Sequence, residues 1–85
     1  MKEFTYVITD AEGIHARPAG ELVKAAKEYA SAISIIKDGK KVDAKKLFGL
    51  MGLGVKQGME ITVQAEGEDE EAAAAALEAF LKENL

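Results

Sequence analysis

The sequence lacks cysteine and tryptophan and contains one proline and one histidine among its 85 residues. Without cysteine, neither disulfide bonds nor thiolate metal sites can form, and one histidine cannot build a metal site from several imidazoles. We therefore expect no bound metal. The absence of cysteine is also compatible with a reducing compartment such as the cytoplasm.

Long apolar segments are missing as well. The N-terminal segment MKEFTYVITD contains no apolar run of signal-peptide length, and no stretch approaches the roughly 20 apolar residues of a membrane span. The 11 Lys and Arg residues are outnumbered by 15 acidic residues, and the net charge of −4 argues against general nucleic-acid binding. We expect a cytoplasmic protein that binds no nucleic acid and does not insert into a membrane.

The length allows a single domain, residues 1–85, with one modest core, so function is expected on the surface. Alternating apolar and polar residues predict strands around residues 4–8 and 59–65, the second of them central in the sheet. Asp38-Gly39 predicts a two-residue type I′ turn between two further strands.

Apolar residues spaced three and four apart predict helices over residues 16–29 and 45–53 and a third helix that begins near Asp69. The buried faces are expected to hold Ala19, Leu22, Val23, Ala26 and Ala30 in the first helix and Ala73, Leu77, Phe80 and Leu81 in the last. Because short amphipathic strands need a cover that amphipathic helices can provide, the order β-α-β-β-α-β-α predicts an α+β fold. We expect a four-stranded, largely antiparallel sheet covered on one face by three helices.

The only histidine, His15, lies in the segment GIHARPAG, directly before the first predicted helix. Pro18 suits a first helical turn, so His15 is expected near the N-cap. Unpaired N–H groups at a helix N-terminus favour an anion, and the guanidinium of Arg17 suits phosphate. Since an imidazole is substantially neutral and nucleophilic near neutral pH, these features predict that His15 accepts a phosphoryl group. The alternative is a surface histidine with a capping or hydrogen-bonding role.

Two surfaces beside His15 are candidates for protein docking. The first surface is a ridge of basic side chains on the first predicted helix, and Gly20 leaves space beside it. The alternative interpretation is an ordinary solvated helix face with salt bridges to Glu21 and Glu28. The second surface is an apolar patch formed by the segment LFGLMGLGV, which has more apolar residues than a short helix can bury. The alternative interpretation is that this segment is a core helix with frayed ends. The basic ridge consists of Arg17, Lys24 and Lys27, of which Arg17 is expected to orient the phosphate. The candidate docking residues are Gly20, Lys24, Lys27, Lys46, Leu47, Phe48 and Met51.

Several features of known catalytic and cofactor sites are missing. The glycines between residues 49 and 58 match neither a phosphate-binding P-loop nor a dinucleotide-binding fingerprint. No serine–histidine–acid set or carboxylate pair can be singled out. We therefore expect no cofactor.

The chain resembles the HPr family, the histidine-containing phosphocarriers of the bacterial phosphoenolpyruvate-dependent sugar phosphotransferase system. GIHARPA matches the phosphorylation-site signature of the family, LFGLMGLGV corresponds to its second motif region, and the resemblance spans essentially the whole chain. It implies an open-faced β-sandwich and a covalent carrier rather than an enzyme, expected to be a monomer. His15 would receive phosphate on Nδ1 from phosphorylated enzyme I, beside Arg17 and the main-chain amides at Ala16 and Arg17. It would then pass the phosphate to enzyme IIA components of sugar permeases.

Two positions depart from the family pattern. Lys46 stands where low-GC Gram-positive members carry a regulatory serine, so the HPr kinase switch should be absent. Glu12 places a carboxylate near the phosphate, where the family often has a small polar residue. Unless Glu12 points away, like-charge repulsion is expected to shorten the phosphohistidine lifetime.

Other functions remain open at this stage. The resemblance also allows a regulatory binding module that keeps the HPr surface, or a carrier in a nitrogen-related or dihydroxyacetone-kinase phosphorelay. A small acyl-phosphate-handling enzyme would need further catalytic groups around the anion site, and the sequence offers none.

Overall fold

The computed structural model describes residues 1–85 and contains seven elements in the predicted order. They are β1 (Lys2–Val7), α1 (Ala16–Lys27), β2 (Ala32–Lys37), β3 (Lys40–Asp43), α2 (Leu47–Gly52), β4 (Glu60–Glu66) and α3 (Glu70–Asn84). The α+β class and the β-α-β-β-α-β-α order are therefore confirmed.

The four strands form one sheet in the order β1-β4-β2-β3, and every neighbouring pair is antiparallel. Strand β4 lies between β1 and β2, as predicted from its clear alternation. The β2–β3 hairpin turns at Asp38 and Gly39, whose φ angles of 50° and 79° are those that a type I′ turn requires. The predicted hairpin is thus confirmed.

The helices cover one face of the sheet and enclose one core. Fully buried residues from α1 and α3 pack with the inward side chains of β2 and β4, which include Ile33, Ile35, Ile61 and Val63. On the opposite face, cross-strand neighbours such as Thr5 and Thr62 remain at least partly exposed. No helix of this structure is long and apolar enough to cross a bilayer.

Two predicted helix boundaries and one predicted core residue are wrong. Helix α1 ends at Lys27, so Ala30 lies beyond its buried face and is exposed; the Ala30 N–H donates to Asp69 Oδ2 in the turn that follows. Helix α2 begins at Leu47 rather than at residue 45, because Asp43 accepts the N–H of Lys45 and starts a turn. In α3, Ala73, Leu77 and Leu81 are buried as predicted, whereas Phe80 is half-buried against the edge of the core.

Candidate functional site

His15 is the N-cap of α1. Its backbone is extended, with φ −107° and ψ −177°, and its carbonyl accepts the N–H of Ala19 at 2.9 Å. The imidazole makes no capping hydrogen bond, and 37% of the side chain is exposed. The first N–H groups of α1 have no partner within the helix, so the ring lies at an end that favours an anion.

The loop before His15 is held rigidly by its own turn and by contact with the chain near Val55. Asp10 accepts the N–H of Glu12 on its side chain at 2.8 Å and the N–H of Gly13 on its carbonyl at 3.0 Å. Gly13 has φ +66°, and a Cβ there would lie 2.2 Å from Val55 O, so only glycine fits. Ile14 then donates its N–H to Val55 O at 3.1 Å. This fixed loop sets the position of the histidine.

Glu12 contacts the imidazole on its Nε2 side. Its Oε2 lies 3.3 Å from His15 Nε2, and its side chain is 74% exposed. The carboxylate is therefore placed against Nε2, the ring nitrogen that the family resemblance does not assign to the phosphate.

Arg17 and His15 border the same open depression. It is lined by Asp10, His15, Arg17, Pro18, Glu21 and Asn84. The Arg17 side chain is 87% exposed, and its Nε lies 3.8 Å from Glu21 Oε1. The guanidinium is thus free to reorient toward a group on the ring, at the loss of only an exposed ion pair.

The predicted basic ridge is exposed at Lys24 and Lys27, with Gly20 half-buried between them and Arg17. Neither lysine forms a salt bridge; on α1 only Arg17 does, with Glu21. Of the salt bridges in the alternative of a solvated helix face, the one to Glu21 is present at Arg17, and none involves Glu28. Both lysines lie in the last turn of α1, where cations stabilise the helix dipole.

Helix α2 packs against α1 and divides its apolar residues between core and surface. Leu50 and Leu53 are buried, whereas Leu47 is half-buried, Phe48 is 86% exposed and Met51 is 40% exposed. The predicted surplus of apolar side chains on the surface is therefore observed. Lys46, the exposed N-cap of α2, makes no side-chain capping bond.

A lysine that was not predicted from the sequence holds α2 in place. Lys37, at the end of β2, donates from Nζ to Leu53 O at 2.8 Å and to Gly54 O at 3.3 Å. These carbonyls follow the last turn of α2, and a cation stabilises such a C-terminus. A terminal lysine of a strand carries no local signal for this role, because its partner is set by the tertiary fold.

Comparison with known proteins decides the family. The family model described as "PTS HPr component phosphorylation site" matches residues 2–83. The chain belongs to the HPr family. The phosphocarrier protein HPr of Lysinibacillus sphaericus is 45% identical over 83 residues, covering 98% of this chain and 94% of the relative.

Solved HPr structures agree in fold. The HPr-C-His crystal structure from Thermoanaerobacter tengcongensis superposes with a TM-score of 0.93 at 46% identity, covering 96% of this chain and 92% of that one. A structure titled as an HPr dimer from the same organism has a TM-score of 0.78 at 46% identity, covering 98% and 95%. The chain is thus a phosphocarrier of the phosphotransferase system with the HPr open-faced sandwich, and some members of its family form dimers.

Proposed function

We propose that His15 accepts a phosphoryl group on Nδ1 from phosphorylated enzyme I and passes it to enzyme IIA domains of sugar permeases. The observation that carries this proposal is the position of the only imidazole, half-exposed at the N-cap of α1 beside Arg17. The chain acts in the cytoplasm as a monomer, and it is a covalent substrate of its partners rather than an enzyme.

The site suits a carrier because an exposed helix N-terminus is expected to hold phosphate only weakly. A helix N-terminus contributes typically about 0.3–1 kcal/mol to an anion at an exposed site. The amides of Ala16 and Arg17 and the exposed guanidinium of Arg17 position the phosphoryl group without trapping it. In the first transfer the Nδ1 lone pair forms the N–P bond while the bond from phosphorus to the donor breaks. In the second transfer a nucleophile of the acceptor forms the new bond to phosphorus while the N–P bond breaks. In both transfers the partner supplies most of the electrostatic stabilisation.

The adjoining surface is the docking site for both donor and acceptor proteins. Phe48, Met51 and Leu47 supply apolar contact, and exposed aromatic and methionine side chains are frequent anchors of protein interfaces. Lys24, Lys27 and Lys46 present positive charge around the apolar residues, with Gly20 keeping the ridge uncrowded. Because residue 46 is lysine, phosphorylation by an HPr kinase cannot occur there.

The deciding experiment is phosphorylation with phosphoenolpyruvate, magnesium and enzyme I, read by intact mass. The wild-type chain is expected to gain one acid-labile phosphoryl group, whereas His15→Ala gains none. Circular dichroism of His15→Ala should show an unchanged fold, since the side chain is not part of the core. Label that persists in this variant would refute the proposal, and an unlabelled wild-type chain would favour a regulatory binding module.

A further inference from the structure

We infer that Glu12 is a positioning residue that keeps a proton on His15 Nε2 and so leaves the Nδ1 lone pair as the phosphoryl acceptor. This inference rests on the proposed function of His15. Its basis is the 3.3 Å approach of Glu12 Oε2 to Nε2. A neutral imidazole carries its proton on one nitrogen, and the neighbours of the ring decide on which.

The backbone, rather than the exposed side chain alone, brings Glu12 to this place. Glu12 lies within the turn that Asp10 closes through two hydrogen bonds, three residues before His15. Gly13, within the same turn, packs directly on the backbone of Val55 and Lys56. The turn therefore sets the Cα positions of Glu12 and His15 and keeps the carboxylate within reach of Nε2.

Charge selects the tautomer. An ionised carboxylate has no proton to donate and carries negative charge. Its approach to Nε2 therefore favours an N–H group on that nitrogen and disfavours a lone pair there. The other charged groups around the ring are Asp10 from the loop and Arg17 and Glu21 from α1, and α3 contributes neutral Asn84. Arg17 and Glu21 form an ion pair with each other. Glu12 is the only one of these groups with an ion-pair contact to His15.

The same contact persists through the transfer cycle without any proton exchange. When Nδ1 attacks, the N–P bond forms, the bond from phosphorus to the donor breaks, and its electron pair leaves with the donor. The ring becomes a cationic phosphoimidazole that still carries its proton on Nε2, next to the Glu12 carboxylate. During onward transfer a nucleophile of the acceptor forms a bond to phosphorus, the N–P electron pair returns to Nδ1, and a neutral Nε2–H imidazole leaves.

Glu12 therefore acts on the leaving group. A phosphoimidazole protonated on Nε2 releases a neutral ring, whereas the unprotonated form must release an anion. By stabilising the protonated form, Glu12 keeps the carrier ready to transfer at higher pH. The expected shortening of the phosphohistidine lifetime thus has a cause other than repulsion of the phosphate, because the carboxylate faces the opposite nitrogen.

The first test measures the tautomer of the unphosphorylated ring by ¹⁵N NMR at a pH where the imidazole is neutral. Glu12→Gln keeps the size of the side chain and removes its charge. The ratio of Nε2–H to Nδ1–H forms should fall about two- to fivefold in this variant, as expected for an exposed pair. Glu21 lines the same depression but makes no ion-pair contact with His15. Glu21→Gln therefore removes one charge from the depression and should leave the tautomer ratio unchanged. Equal ratios in wild type and Glu12→Gln would overturn the inference.

The second test follows hydrolysis of His15 after phosphorylation with phosphoramidate, a small chemical donor that needs no partner protein. The pH at which hydrolysis slows should move down by about half a unit in Glu12→Gln and should stay in place in Glu21→Gln. An equal shift in both variants would show that loss of any negative charge near the ring has the same effect, and would overturn the positioning role of Glu12. A changed tautomer ratio in a chain that enzyme I does not label would support the role of Glu12 and refute the proposed function.

Discussion

Asp69 links two turns that are far apart in the sequence. Its carboxylate accepts the N–H of Ala30 at 2.8 Å, the N–H of Ser31 at 2.9 Å and the hydroxyl of Ser31, which is 1% exposed. These hydrogen bonds, led by that of the Ser31 hydroxyl, hold the pKa of Asp69 below its usual value. The residue therefore ties the end of α1 to the start of α3 through its ionised form.

The pH dependence of stability follows from this lowered pKa. Ionised Asp69 stabilises the fold above the unfolded aspartate pKa of about 4, and this contribution is lost as the pH falls through the lower folded value. We expect Asp69→Asn to lower the melting temperature at neutral pH by several degrees and to flatten its decline in acid. Thermal melts across the acid range test this. Glu68→Gln, a neighbouring exposed carboxylate without a salt bridge or side-chain hydrogen bond, is the control and should melt like wild type.

The Asp69 contacts also mark the limit of local sequence patterns at the residue scale. The sequence places Asp69 correctly before the last helix, as negative charge at a helix start. Its partners lie 38 and 39 positions earlier, and no periodicity reports such a pair. Because local spacing does not report such long-range contacts, the sequence wrongly predicts Ala30 on the buried face of α1. The helical spacing of apolar residues continues past the point where the helix ends.

At the scale of elements, α2 is a short helix with one apolar face buried in the core and one exposed to solvent. Phe48 points to solvent, whereas Leu50, two residues later, is completely buried. The helix is fixed from outside, by the turn that Asp43 starts and by the Lys37 ammonium at its C-terminal end. Such support allows an apolar side chain to remain exposed in a helix too short to be stable alone.

We expect Phe48→Asp to weaken binding to enzyme I at least tenfold while changing the melting temperature little, because the loss of an aromatic hot spot costs about 2 kcal/mol or more of binding free energy. Leu50→Ala is the matched core substitution and should cost about 2–5 kcal/mol of stability. Titration calorimetry and thermal melts separate the two effects. If Phe48→Asp melted as early as Leu50→Ala, Phe48 would belong to the core and not to a docking surface.

The types of the elements were predictable because the spacing of apolar residues differs between strands and helices. The turn was predictable because Asp-Gly pairs favour the positive φ angles of a type I′ turn. The site was predictable to the same degree: His15 and its helix start lie within one segment of sequence. The supports of the site were not. Gly13 packs on Val55, and Lys37 reaches Leu53, only after β2, α2 and the loop before α1 have come together. These contacts depend on the tertiary arrangement, which local periodicity does not encode.

Across the whole molecule, net charge and local charge have opposite signs. The chain carries −4 overall, yet Lys24 and Lys27 are without salt bridges in the last turn of α1, the helix that His15 caps. Long-range repulsion from an acidic partner would follow net charge, whereas steering of the final approach follows the local patch. The distribution of lysines, rather than their number, should therefore control association.

Two charge reversals with the same effect on net charge separate these possibilities. Lys24→Glu alters the basic ridge on α1, the helix that His15 caps. Lys41→Glu makes the same change opposite Ile36, on the sheet face that no helix covers. Lys24→Glu should slow association with enzyme I about three- to tenfold at low salt, and the difference should fade as salt screens the ridge. Lys41→Glu should change the rate little. Stopped-flow association rates measured across a salt series test this, and equal slowing by both variants would show that net charge, not the ridge, governs the encounter.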